Sequence, residues 1–160
     1  MSERAAERAA DLLRCHRVAA LGTLRDGAPS VTMTPYALLS DPLALIVLVS
    51  GLASHTSDMR ADGRVGVLVS EPETDGLSVH TLARVSIRGN ARPLFRDDPL
   101  HDAARAVYAA RFPDMTELFA LGDFALFAIE PATVRIVSGF AQAASITPGS
   151  LASAIGGTVE

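Results

Sequence analysis

The sequence predicts a mainly β domain, an antiparallel barrel decorated by helices. Three observations carry that expectation. The Asp26-Gly27 pair stands between two strand-like runs and supplies the positive-φ turn that joins antiparallel strands, and Asp62-Gly63 is a further turn into a strand. The run Leu43–Val49 is almost wholly apolar and rich in branched residues, as in a strand buried on both faces. Helical patterning is confined to the N-terminus, a short piece after Val49 and the stretch after Asp97, so helices flank the sheet rather than replace it.

Taken in order, Ser2–Cys15 reads as an amphipathic helix, with Ala6, Ala9, Ala10, Leu12 and Leu13 on one stripe and charged residues opposite. Arg17–Leu24 is a strand that turns at Arg25-Asp26-Gly27 into a return strand, Pro29–Leu38. Pro35 interrupts that strand's ladder, which suggests an edge or a bulge. After the turn Ser40-Asp41-Pro42, the strand Leu43–Val49 leads to a short helix ending near Ala61, and Asp62-Gly63 opens a strand over Arg64–Ser70. Glu71–Leu77 reads as a surface loop and Val79–Leu94 as a long strand. Asp97-Asp98-Pro99 is a helix start, with either aspartate as cap, and the helix runs to about Ala110. Met115–Leu121 is a second short helix, and Gly122–Ile129 and Thr133–Val137 are strands around a break at Glu130-Pro131.

Composition narrows the function classes. At 160 residues, 49% hydrophobic and 20% charged, the chain fits one globular domain. A net charge of -4 with scattered arginines argues against nucleic-acid binding. Cys15 is the only cysteine, which excludes an internal disulfide and a cysteine zinc site and suits a reducing cytoplasm. Met1–Arg17 lacks the apolar core of a signal peptide, and Leu43–Val49 is too short to span a bilayer. The expectation is a cytoplasmic protein with no membrane or nucleic-acid partner.

The stretch Val49–Arg60 carries the main functional signal. It follows a buried strand, turns at Gly51, and places Ser54-His55-Thr56 at a helix start. Unpaired N–H groups and the helix dipole favour an anion there, so the stretch reads as a phosphate cradle. Glycine-rich nucleotide motifs and a nucleophile elbow are absent. His16, His55, His80 and His101 have no metal-ligand spacing, so no metal site is expected, and His101 with Asp102 reads as surface charge. No residue stands out as a general acid or base, so catalytic residues stay unassigned.

Val18–Leu24 with Gly27-Ala28-Pro29, Thr32–Ala37, Val49–Thr56, Asp62–Val65, Ala83–Gly89, Ala110–Pro113, Gly122-Asp123-Phe124 and Val137–Phe140 follow one another in the chain. Taken in that order they resemble the pyridoxamine 5′-phosphate oxidase-like, FMN-binding split-barrel superfamily, in the branch related to heme utilisation. The resemblance runs from about residue 12 to about residue 143. It implies a six-stranded antiparallel split barrel over residues 1–143, with 144–160 a tail either disordered or packed on the partner subunit. It further implies a homodimer with FMN at the subunit interface, and flavin-dependent oxidoreductase activity on a small molecule. Deazaflavin or heme are the alternative cofactors. A non-catalytic flavin- or heme-binding protein, or a dimeric scaffold without cofactor, are the alternative functions.

Carried over by position, Thr32, Met33, Thr34, Pro35 and Tyr36 would line the flavin ring, largely through backbone groups. Ser50 falls near the ribityl-phosphate. Ser54, His55 and Thr56 fall where the family's Ser-Arg-Lys segment holds the phosphate, and Arg84 where a strand residue reaches the flavin. Pyridoxamine phosphate oxidases carry a basic strand motif where this chain has Thr32 and Ala37, and their arginine- and histidine-bearing substrate motif has no counterpart here. Oxidation of pyridoxamine phosphate is therefore not expected. Heme-degrading relatives use a C-terminal histidine, and this chain has none after His101, which counts against heme oxygenation.

Overall fold

A computed structural model of the chain describes residues 2–139 and 142–157. Phe140, quoted above, lies outside the described residues, as do residues 158–160 of the expected tail. The element order is α1 (Ser2–Cys15), β1 (Val18–Arg25), β2 (Ala28–Pro35), β3 (Ala37–Ser40), β4 (Leu43–Ser50), α2 (Ser54–Ala61), β5 (Arg64–Ser70), β6 (Arg84–Leu94), α3 (His101–Arg111), β7 (Phe124–Val137), β8 (Ala143–Ile146) and α4 (Pro148–Gly156). Short 3-10 turns lie at Val79–Thr81 and Pro113–Ala120.

The strands form one antiparallel sheet of eight, in the order β2-β1-β5-β6-β7-β4-β3, with β8 on β7. Its two edges, β2 and β3, are consecutive in the chain. Only Tyr36 separates them, so the gap in the barrel is crossed by the backbone and not by a ladder. Pro35 explains why. It has no N–H to donate, and a sheet edge is where that is tolerated. Eight strands replace the expected six because the Pro29–Leu38 run divides at Tyr36 and because residues 143–146 add β8.

Tyr36 fixes the crossing. Its side chain is fully buried, and its hydroxyl lies 2.7 Å from the His16 carbonyl oxygen and 2.8 Å from that of Leu13. Arg111 at the end of α3 donates to the carbonyls of Leu13, Arg14 and His16 at 3.2, 3.2 and 2.5 Å. The C-terminal carbonyls of α1, left without partners by the helix itself, are thus capped by side chains from two other elements. Burial pulls the Arg111 pKa down from its ordinary value and pushes that of Tyr36 up.

Two cores share the sheet. Leu45, Val47 and Val49 of β4 face the barrel core with α1, while Ala44, Ile46 and Leu48 face a second core under α3. This is the strand buried on both faces that its composition predicts. Each such aliphatic side chain contributes roughly 1.5–3 kcal/mol. The Asp26-Gly27 hairpin forms with positive φ at both residues. The segments on either side of Glu130-Pro131 form one strand, β7. Ala132 bulges out, since Gly89 pairs with Pro131 and Arg88 with Thr133. A Cβ at Gly89 would collide with the Glu130 carbonyl, so the bulge depends on that glycine.

Other boundaries differ from the sequence reading. Val79–Thr81 is a 3-10 turn, and β6 begins at Arg84. The Glu71 carboxylate accepts from the Ala83 N–H at 3.0 Å and so ties the 71–83 loop at its base. Asp98 does not cap α3. It accepts from Leu100 N–H at 2.9 Å, within a turn that delays the helix to His101. Residues 143–156 form β8 and α4, with Thr147 capping α4 through the Ser150 N–H. Arg14 of α1 donates to the Ala154 and Ile155 carbonyls at 2.7 and 2.8 Å, so this segment packs on its own chain.

Tyr36→Phe keeps the packing and removes the hydroxyl, leaving the α1 carbonyls with fewer donors. It should destabilise the fold by about 1–2 kcal/mol, read as a lower urea midpoint. An unchanged midpoint would refute the pinning role.

Candidate functional site

The strand β4 ends at Ser50, and the chain turns through Gly51 against the strand start of β7. The Gly51 N–H donates to the Asp123 carbonyl at 2.5 Å. A Cβ at Gly51 would lie 3.0 Å from that oxygen, so the close approach favours glycine. Ser50 Oγ donates to Asp123 Oδ2 and accepts from Leu52 N–H, both at 3.2 Å. Thr56 is buried, and its hydroxyl donates back to the Ser50 carbonyl at 2.6 Å. Ser57 Oγ donates to the Ser54 carbonyl at 2.9 Å. The cap of α2 is Ala53, which offers no side-chain acceptor. Ser54 is therefore the first helical residue and not the cap.

Two residues of α2 tie it to the barrel. His55 Nδ1 lies 2.9 Å from Thr32 Oγ of β2. Burial lowers the His55 pKa from its ordinary 6.5, with Asp58 opposing the shift, which favours the neutral ring. Asp58 is only 4% exposed. It accepts from Thr23 Oγ at 2.8 Å and from Arg25 Nε at 3.0 Å, both on β1. The Thr23 hydrogen bond is the largest cause of its lowered pKa. Arg25 adds to the effect, and desolvation opposes it. A buried carboxylate is tolerated here because its lone pairs are used.

The structure brings Thr32, Ser50, Ser54, His55 and Thr56 into one neighbourhood where β2, the end of β4 and the start of α2 meet. Met33 lies on the opposite, outward face of β2 and is 63% exposed. Thr34 is buried, with its hydroxyl donating to the Pro35 carbonyl at 3.0 Å. Tyr36 is held in the α1 cap. Arg84 is elsewhere: it pairs with Val137 at one end of β7, whereas Ser50 pairs with Phe124 at the other. One protomer does not join Arg84 to the α2 start. Among the described residues, no group of three or more His, Cys, Asp or Glu is placed to hold a metal ion. No described helix is long and apolar enough to cross a membrane.

An eight-stranded split sheet with a turn-and-helix site at the end of β4 defines a class of protein. The family described as Pyridoxamine 5'-phosphate oxidase matches residues 5–138, and the chain belongs to that family. It is 32% identical over 129 residues to the non-canonical heme oxygenase HOZ, chloroplastic, of Arabidopsis thaliana, covering 81% of this chain and 38% of that one. It is 27% identical over 122 residues to heme oxygenase HutZ of Vibrio cholerae, covering 76% of this chain and 68% of that one. A solved heme binding protein from Mycobacterium smegmatis superposes with a TM-score of 0.82 at 27% identity, covering 93% of this chain and 60% of that one. The chain thus spans well under half of the Arabidopsis relative.

The sequence reading missed Thr23, Arg25, Asp58 and Asp123. Asp58 lies in an exposed-looking Ser-Asp-Met-Arg run, and only its fold contacts with β1 reveal it. The signal available was its spacing: Asp58 stands one turn after His55 on a short helix that must pack somewhere.

Both shifts in α2 make the protein acid-sensitive. The folded pKa values of His55 and Asp58 lie below their ordinary 6.5 and 3.8, so the unfolded chain binds more protons and stability rises with pH. Their contributions are present above those values and lost as pH falls through the folded ones. The urea midpoint should fall first below pH 6.5 and again below pH 3.8. His55→Gln should remove the first step and Asp58→Asn should flatten the second. Identical pH profiles in all three proteins would refute both assignments.

Proposed function

We propose that this protein binds heme as a homodimer and does not oxidise pyridoxamine 5′-phosphate through FMN. The observation that carries the reading is the chemistry at the start of α2. The Ser50 and Thr56 hydroxyls are engaged within the chain, and burial favours the neutral form of His55. The nearby Arg25 is committed to Asp58, and Arg60 stands in the last turn of the helix. A phosphate carries up to two negative charges. Beside Ser50 it would meet the Asp123 carboxylate, and Arg60, which has no ion pair among the described residues, stands at the far end of the helix, so the segment fits an FMN phosphate poorly.

A neutral imidazole fits iron better. Ligating histidines are neutral and are oriented by a hydrogen bond at the other ring nitrogen. Thr32 supplies that orientation at Nδ1, and Nε2 has no hydrogen-bond partner among the described residues. His55 would hold the iron through Nε2, and heme when bound supplies the redox and ligand-binding chemistry of its iron. Relatives named for heme oxygenation or heme binding, at 27–32% identity, support the reading. A second reading keeps FMN, on the strength of the uncapped first turn of α2 and the exposed Ser54 beside it.

The dimer would form on the outward face of β2, β1 and β5. Ala20 pairs with Met33 on one side and Leu68 on the other, and Gly22 with Val31 and Gly66. These residues therefore share one face. Val31 is 72% exposed there, and apolar surface of this kind marks an interaction site.

Hemin should produce a saturable Soret shift. His55→Ala should weaken binding at least tenfold, about 1.4 kcal/mol. FMN should bind more weakly than hemin to the wild type. Tighter FMN binding, or hemin binding unaffected by His55→Ala, would overturn the reading. Val31→Asp with Met33→Asp should sediment as a monomer where the wild type sediments as a dimer. A wild-type monomer, or a variant dimer, would refute the interface.

A further inference from the structure

A second cavity lies on the other side of β4 from the barrel core. It has a volume of about 290 Å³ and opens between the end of β6, the start of β7, α3 and the Pro113–Ala120 turn. Leu94, Phe119 and Phe124 form apolar walls, and Arg96, His101 and Arg105 supply the polar ones. The Arg105 guanidinium lies 4.9 Å from the centroid of the Phe119 ring. Phe119 is itself held edge-on by Tyr108, 6.1 Å away.

The charges in this cavity are not consumed by the fold. Among the described residues, neither Arg96 nor Arg105 has a carboxylate or hydrogen-bond partner. Of the neighbouring acids, Asp97, Asp114 and Glu117 make no ion pair with either arginine, and three others are engaged elsewhere. Asp98 pairs with Arg92 and accepts from the Leu100 N–H. Asp102 is fully exposed and touches only His101 Nδ1, at 3.3 Å. Asp123, between the lining residues Gly122 and Phe124, accepts from Ser50. Arg96 and Arg105 are both exposed at this mouth, and they set positive charge beside the apolar side chains of Leu94, Phe119 and Phe124.

We propose that this cavity binds a small aryl carboxylate. Water takes up about 30 Å³ per molecule in the liquid, so the volume matches a ligand of roughly ten to fifteen non-hydrogen atoms, one or two fused rings. The acid group would sit between Arg96 and Arg105, with His101 at its side. The ring would enter against Phe119, Phe124 and Leu94, where aromatic contacts add to area burial. A bare phosphate would leave the apolar walls unused, and a neutral aromatic would leave the arginines unmatched. The site shares no lining residue with the His55 neighbourhood, which it adjoins at Asp123.

The test is a titration of the full chain with 2-naphthoate, followed by amide chemical shifts, with 2-naphthamide as the neutral counterpart. The expected result is saturable shifts at Phe119, Leu121 and Gly122. Binding should be at least tenfold weaker for the amide and for Arg96→Gln with Arg105→Gln. Arg135→Gln, on another part of the sheet, should leave binding unchanged. The same spectra report whether each variant is folded, and the single variant Arg105→Gln serves if the double one is not. No saturable shifts, shifts centred elsewhere, equal binding of acid and amide, or full affinity in a folded arginine variant would each overturn the proposal.

Discussion

The hydrogen bonding of Tyr36 to the end of α1 is the constraint on which the barrel depends. The sheet does not close by strand pairing. Its two edges are instead one continuous run of chain, β2 passing into β3 through a single residue. Fixing that residue adds a direct constraint on how far apart the edges stand, beside the one the ladders supply. Tyr36 fixes it from within the core, and Arg111 reaches the same carbonyls from α3. These contacts join the N-terminal helix, the barrel seam and the helix of the second core. Buried polar groups of this kind are costly when unmatched, so the arrangement favours one geometry over its near alternatives.

The same logic reaches the functional neighbourhood. The position of β2 is set at the seam, and β2 carries Thr32, which orients His55. The position of β1 is set by pairing with β2, and β1 carries Thr23 and Arg25, which hold Asp58. The short helix α2 is therefore anchored by polar contacts on two strands rather than by a wide apolar face. Its hydroxyls serve the turn that precedes it. A segment whose position suggests an anion site spends the Thr56 and Ser57 hydroxyls on its own structure, and what it still presents is Ser54 and a half-buried imidazole.

Much of the architecture was legible in the sequence. The Asp26-Gly27 hairpin, the two-sided burial of Leu43–Ser50, α1, α2 and β5 follow from turn chemistry and periodicity. Where reading by propensity failed, tertiary contacts had overruled it. Pro131 reads as a strand break, but the bulge opposite Gly89 absorbs it. Asp97-Asp98-Pro99 reads as a helix start, but Asp98 is drawn to Arg92 and Leu100. The small residues of 148–156 carry little apolar signal, yet Leu151 is fully buried. Of the site, the residue types at Ser50–Thr56 were visible. Their engagement with Asp123 and Thr32 was not, because partners 23 and 73 positions away in sequence leave no local pattern. His101 reads as surface charge and lines a cavity instead.

The central claim is that the start of α2 serves heme and not a flavin phosphate. The most direct measurement is to express the full chain in cells supplied with both heme precursor and riboflavin, purify it, and identify the group released on denaturation by absorbance and mass. The account predicts heme approaching one per subunit and only traces of FMN. FMN at one per subunit, with no heme, would contradict it.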